Sequence, residues 1–297
     1  MAISSVDGYL QQLKEELKNC DRATVQDALS DAEEYLRNAL DNLKSARPDI
    51  PEENIFSSVV EEYGTPAEIA AAYRKIEART SPSLTARTQK KNQSFFRRFF
   101  GVVVEPKAWG ALLYLIFSLA TGIIYFTWTV TGISLSLGLL VLIIGIPIAG
   151  VLILATRGMA LLEGRMVEAL LGIRMPHRPL FSPNDKGLWA KFKALITDRY
   201  TWFSMIYMLL QLPLGIAYFT VFITLIAASL SLIVSPILEL VFNLPLFTSW
   251  NTLYYLQGWV FPFAVIVGVL LFFITLHLAK LAGNLQGKLA KAMLVRE

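Results

Sequence analysis

The sequence predicts an all-α membrane protein: a small cytoplasmic helical bundle, then four transmembrane helices formed by two parallel-repeat hairpins, with flanking amphipathic interfacial helices. Three observations carry that expectation. Apolar residues make up 55% of the 297 residues, above the about 45–50% usual in soluble domains, and nearly all of the excess lies after Trp109. From Trp109 to Ala155 run 47 residues without a formal charge. The apolar part also repeats itself at a fixed offset, which marks a duplicated structural unit.

Residues 1–80 read as a soluble head. A first stripe, Val6, Tyr9, Leu10, Leu13 and Leu17, ends near the single cysteine, Cys20, which excludes an internal disulfide and any cysteine-cluster metal site. A second helix places Val25, Leu29, Ala32, Leu36, Leu40 and Leu43 on one face at intervals of three or four. Pro48 and Pro51 end it, because proline lacks the amide hydrogen a helix needs and disfavours helical geometry before it. The third carries Ile55, Phe56, Val59, Val60 and Tyr63 and stops at Gly64, suited to a left-handed cap. Thr65, Pro66 and Glu68 then spell a capping box with proline in the first turn, opening a helix through Ile69, Ala72, Tyr73 and Ile76. Residues 81–94, mostly polar and without periodicity, read as a linker.

The carriers Tyr9-Leu10, Leu13, Leu17, Asp31-Ala32-Glu33-Glu34, Tyr63-Gly64-Thr65-Pro66 and Ile69-Ala70 resemble those of the HAAS signalling domain. That resemblance implies a helical module of bacterial membrane proteins associated with PadR-like regulators.

Residues 95–297 form the duplicated module, with one repeat at about 95–172 and the other at about 188–297. Trp109, Tyr114, Leu119, Gly122, Ile123, Tyr125, Phe126 and Thr127 match Trp202, Tyr207, Leu212, Gly215, Ile216, Tyr218, Phe219 and Thr220, all 93 residues apart. Downstream, Gly145, Gly164, Arg165 and Ala169 match Gly268, Gly287, Lys288 and Ala292 at an offset of 123, so the second copy carries an insertion between Thr224 and Trp259. As one helix, the uncharged stretch would be about 70 Å long, against a hydrocarbon core of about 30 Å. It must therefore be two spans, with the turn expected near Thr131-Gly132. A third span begins at Trp202 and a fourth runs from about Trp259 to Leu278.

Basic residues set the expected orientation. Arg97, Arg98 and Lys107 precede the first hairpin, Arg157 to Arg199 separate the two, and Lys280, Lys288, Lys291 and Arg296 follow the last span. Both termini are expected in the cytoplasm and the protein in the cytoplasmic membrane. The apolar insertion, Ser229–Phe247, is interrupted by Pro236, Glu239, Asn243 and Pro245 and reads as an interfacial or re-entrant outer cap. Aromatic and cationic residues mix before each hairpin, and the tail stripe Leu281, Leu285, Leu289 and Met293 carries Lys288 and Lys291, so Arg97, Arg98, Lys191, Lys193 and Lys288 are the expected contacts to lipid headgroups. Glu105 and Asp198 precede spans, where a carboxylate satisfies the positive helix end.

No catalytic, cofactor-binding or metal-ligating constellation emerges. His177 and His277 lack partners at metal-ligand spacing, and neither a phosphate-binding loop nor a nucleophile elbow is present. The expected ligand-lining or repeat-packing residues are Tyr114, Gly122, Tyr125 and Thr127 with their equivalents Tyr207, Gly215, Tyr218 and Thr220. Glycine there permits close helix approach, so packing is the simpler account of these positions.

Trp202, Tyr207, the run from Leu212 to Thr220, Gly145-Ile146-Pro147 and the Arg157–Leu171 segment resemble the sensor domain of many bacterial histidine kinases and related membrane proteins. No nucleotide-binding or phospho-acceptor motif accompanies them, so the resemblance does not imply autophosphorylation. The functional expectation is a non-enzymatic sensor or signal-relay protein, passing an envelope, lipid or apolar-ligand signal to a cytoplasmic partner (a PadR-like regulator or a kinase). Membrane lipids are the other expected partners, no direct binding of nucleic acid is expected, and a homo-oligomer is left open. The alternative is a lipid- or hydrophobe-translocating protein regulated by its head.

Overall fold

The structure, a computed structural model, describes residues 5–46, 52–80, 99–139, 145–177, 188–242, 247–249, 252–254 and 258–295. The head comprises α1 (Val6–Glu16), α2 (Arg22–Ala46), α3 (Glu52–Tyr63) and α4 (Pro66–Thr80). After a 3-10 turn at Gly101–Val104 come α5 (Pro106–Gly138), α6 (Gly145–Leu171), α7 (Leu188–Thr197) and α8 (Arg199–Phe242). Strands β1 (Phe247–Ser249) and β2 (Thr252–Tyr254), a 3-10 turn at Gly258–Val260 and α9 (Phe261–Leu294) complete the described chain. Four helices, α5, α6, α8 and α9, are long and apolar enough to cross a membrane. The linker expected at 81–94, with Arg97 and Arg98, lies outside the described residues.

The head closes its own core. Tyr9 and Leu13 of α1, with Leu17 at its C-cap, pack with Ala28, Ala32 and Leu36 of α2, Ile55, Phe56 and Val59 of α3 and Ala70 of α4. The Tyr9 hydroxyl donates to the Gly64 carbonyl at 2.7 Å, and Gly64 itself takes a φ of +107°, the left-handed geometry that glycine adopts without strain. The capping box forms reciprocally: the Thr65 amide donates to Glu68 at 2.8 Å and the Glu68 amide to the Thr65 hydroxyl at 3.4 Å. Cys20 packs against the edge of this core, and burial pushes its thiol up from the ordinary value.

Two expectations about the spans need correction. Helix α5 does not turn at Thr131-Gly132 but continues to Gly138. A helical glycine costs only about 1 kcal/mol, and here the missing side chain makes room, since a Cβ on Gly132 would lie 2.3 Å from Leu152 Cδ1. Residues 229–242 do not form a re-entrant cap; they continue α8, which passes through Pro213 and Pro236 without ending. Each proline removes one donor. In apolar surroundings the helix is still the arrangement that satisfies the remaining backbone groups. Beyond α8 the insertion closes with an antiparallel hairpin in which Phe247 pairs with Tyr254 and Ser249 with Thr252.

The amphipathic segments expected to flank the spans take two forms. Helix α7 is separate, whereas the segments after Arg157 and after Leu278 are the unbroken ends of α6 and α9. On α9, Leu281 and Leu285 remain exposed while Gly283, Gln286, Gly287 and Ala290 are buried.

The two hairpins meet where α5 crosses α8. A Cβ on Gly122 would lie 2.7 Å from the Gln211 carbonyl oxygen, and one on its equivalent Gly215 would lie 2.5 Å from the Ser118 carbonyl oxygen. The contacts are reciprocal: Ser118 meets Gly215, Gly122 meets Gln211 (the repeat equivalent of Ser118), and the Thr129 hydroxyl lies 3.8 Å from Met208 Sδ. The reciprocity of Ser118–Gly215 and Gly122–Gln211 relates the two repeats by an approximate two-fold axis at this crossing. Gly122→Ala should destabilise the protein by about 1–3 kcal/mol, the usual cost of overpacking. Gly158→Ala, where a Cβ meets nothing within 4 Å, should be neutral or slightly stabilising. Unfolding followed in detergent micelles checks both, and equal effects at the two sites would contradict this crossing.

Candidate functional site: one carboxylate between two repeats

Helix α6 is apolar over its first three turns, and six residues after Arg157 it places Glu163 in the interior with no exposed surface. Hydroxyls from three tyrosines converge on that carboxylate. Tyr114 and Tyr207 donate to Oε1 at 2.5 and 2.8 Å, and Tyr125 donates to Oε2 at 3.1 Å. Among the described residues, no cation bonds to it. A buried carboxylate is costly unless hydrogen bonds replace water, and here phenols from both repeats make that replacement.

The arrangement obeys the repeat. Gln286 on α9 stands 123 residues after Glu163, the offset that aligns the second halves of the two copies. Tyr218, the equivalent of Tyr125, donates to Gln286 Oε1 at 3.1 Å. Gln286 Nε2 in turn donates to the Tyr207 hydroxyl at 3.3 Å and to Gln211 Oε1 at 2.9 Å. Tyr114 and Tyr207 face one another on the axis, their hydroxyl oxygens 3.3 Å apart. One donor is left over: Gln211 Nε2 is buried and has no hydrogen-bond partner among the described residues.

Paired ties surround this centre. Lys280 bonds Glu105 at 2.6 Å and Arg157 bonds Asp198 at 2.7 Å. Both cations and both carboxylates are repeat equivalents, so each copy reaches into the other. Glu105 thus forms an ion pair and no side-chain cap, whereas Asp198 also accepts from the Tyr200 amide at 3.2 Å. The indoles of Trp109 and Trp202 donate to the carbonyls of Val103 and Ile196 at 2.7 and 2.8 Å, fastening the start of each hairpin identically.

Of the residues singled out from sequence, Tyr114, Tyr125, Tyr207 and Tyr218 come together here and Gly122 and Gly215 form the crossing beside them. Thr127 and Thr220 keep the repeat register but lie on the exposed side. Lys193 and Lys288 are exposed, while Lys191 lies in α7. His277 stacks on Phe99, with Nε2 3.2 Å from the Phe99 carbonyl oxygen. His177 Nε2 lies 2.6 Å from Glu168. Sequence reasoning missed Glu163, Gln286 and Gln211. The offsets of 123 and 93 that align the copies already pair Glu163 with Gln286 and Ser118 with Gln211, which was the signal available.

Glu163→Ala strands three phenol hydrogens, whereas Tyr125→Phe removes one bond to the carboxylate, worth about 1.5–3 kcal/mol. Tm in detergent should therefore fall further for Glu163→Ala than for Tyr125→Phe. The reverse order would mean that the carboxylate does not organise the centre.

The family model described as "Putative sensor" matches residues 114–294, and the one described as HAAS matches residues 8–72. No curated protein and no solved structure matches the chain.

Proposed function

Because the chain belongs to that sensor family and carries a HAAS head, we propose that it is a multi-pass sensor of the cytoplasmic membrane whose responding element is the Glu163 centre. The observation that carries this reading is the sharing of one buried carboxylate by tyrosines of both hairpins. Any lipid, apolar ligand or envelope stress that shifts one hairpin against the other must break or re-form those bonds. An ionisable residue inside a spanning bundle is expensive and marks function. Its response is discrete, because packed interiors switch between arrangements and do not deform smoothly.

The head passes the response to a cytoplasmic partner, and its HAAS match favours a regulator of the PadR type over a kinase. Both termini then lie in the cytoplasm, in keeping with the basic residues around the hairpins. The reaction chemistry of an enzyme has no part in this reading, since the centre offers hydrogen bonds and a charge but no activated nucleophile.

Purification from native membranes in mild detergent, comparing the intact chain with one lacking residues 1–80, tests the relay. A cytoplasmic regulator should accompany the intact chain alone, in an amount that Glu163→Gln changes without altering membrane insertion. Identical protein partners for both chains would sink the relay, and tightly held lipid with no protein partner would point to lipid handling.

A further inference from the structure

The first turns of α2 are buried on two opposite faces, and the head's core accounts for one of them. Ala28, Ala32 and Leu36 face that core. Ala23, Gln26, Asp27 and Ser30, on the other side of the helix, are also buried, at 0%, 7%, 6% and 5% exposure. The membrane module reaches this face at two points. The His177 amide donates to Asp27 Oδ1 at 2.7 Å, and Lys291, near the end of α9, bonds Asp21. Asp21 also caps α2, accepting from the Ala23 amide at 2.9 Å, and its own amide donates to Glu77 of α4 at 3.0 Å. One residue thus ties α2, α4 and α9 together.

The opposing surface is firmly built. Residues 172–177 are pinned to α6: Arg165 donates to the His177 carbonyl at 3.2 Å, Glu168 holds the His177 ring, and Met175 is buried in the transmembrane core. Gly283 and Gly287 bring the end of α9 against Leu171 and Ile173. The ends of α6 and α9 therefore present His177 and Lys291 as one platform.

We propose that the outer face of α2, around Asp21 and Asp27, is a docking surface whose occupant is this platform of the chain's own membrane module, and that the docking is reversible. Reversibility follows from composition. Among the described residues, the buried ones on this face beside the two carboxylates are Ala23, Gln26 and Ser30, while the head's large apolar side chains are closed in a core separate from the transmembrane one. Undocking exposes no large apolar side chain of the head. Polar contacts of this kind between domains permit relative motion. The Asp21–Lys291 pair is partly exposed, at 29% and 23%, so salt weakens it. In the docked state the Asp21–Asp27 face is withheld from any other protein. Gln286 lies on α9 five residues before Lys291, so control of docking by the Glu163 centre is a further step that rests on the proposed sensing role.

Spin labels at Glu61→Cys and Asn284→Cys, both exposed positions, in a Cys20→Ser background and lipid nanodiscs report the head-to-module distance by pulsed dipolar spectroscopy. A single narrow distribution is expected at low salt. It should broaden and lengthen with Lys291→Glu, stay narrow with Lys291→Arg, and be restored by pairing Lys291→Asp with Asp21→Lys. Salt at about 1 M, where the Debye length is about 3 Å, should broaden it as well. A distribution unmoved by Lys291→Glu, or a charge exchange that fails to restore it while circular dichroism shows an intact head, overturns the docking surface. Glu163→Gln separates the two ideas: docking intact there but lost in Lys291→Glu keeps the surface and removes the centre as its trigger.

Discussion

A carboxylate without exposed surface must find donors to replace the water it has lost, and the cost of failing is several kcal/mol. Glu163 finds them in three phenols, two from one repeat and one from the other. That requirement reaches into the packing of the whole bundle. Tyr207 sits on α8 and the other two on α5, so the bonds form only when the helices cross closely, which Gly122 and Gly215 permit. The crossing fixes where the returning helices α6 and α9 lie, and the Arg157–Asp198 and Lys280–Glu105 pairs then tie each returning helix to the other repeat.

Duplication alone would put two identical groups beside the axis. Two carboxylates that close together resist simultaneous ionisation, and the chain has glutamine at the second position. Gln286 donates where a glutamate could not, joining Tyr207 and Gln211 through one amide nitrogen. The pseudo-symmetry is thus kept in geometry and broken in charge. In the proposed sensing role, an asymmetric centre between near-equivalent hairpins would let the two halves respond differently to the same disturbance, which a fully symmetric pair lacks.

Much of this was legible in the sequence because repetition preserves register. The tyrosines, glycines and tryptophans that recur at one offset do occupy equivalent places. The HAAS and sensor resemblances drawn from short motifs agree with the family matches at 8–72 and 114–294. Glu163 was hidden by its neighbours: Arg157, Arg165 and Glu168 make the segment look like a solvated interfacial helix. In the fold that helix turns Arg165 outward and Glu163 in, a distinction of two positions that charge counting does not make. The end of α5 and the path of α8 were misread for a common reason. Thr131, Gly132 and Pro236 signal turns in water, where freed backbone groups can be hydrated. Among apolar helices that option is absent, and the helix carries on.

The same reasoning explains why the head can behave as a separate body although it touches the module. Its four helices bury their apolar faces on each other, with Tyr9 at the centre bonded to the left-handed turn at Gly64. What remains for the module is the outer face of one helix, rich in small and acidic residues, meeting a lysine and a backbone amide. Such a contact specifies orientation through two directed bonds, yet it adds little to the stability of either part. A relay needs both properties: a defined resting arrangement, and a free-energy gap small enough for a change among a few buried hydrogen bonds to cross. Apolar docking would have supplied the first and forfeited the second, since removing a hydrophobic interface costs energy in proportion to the area exposed.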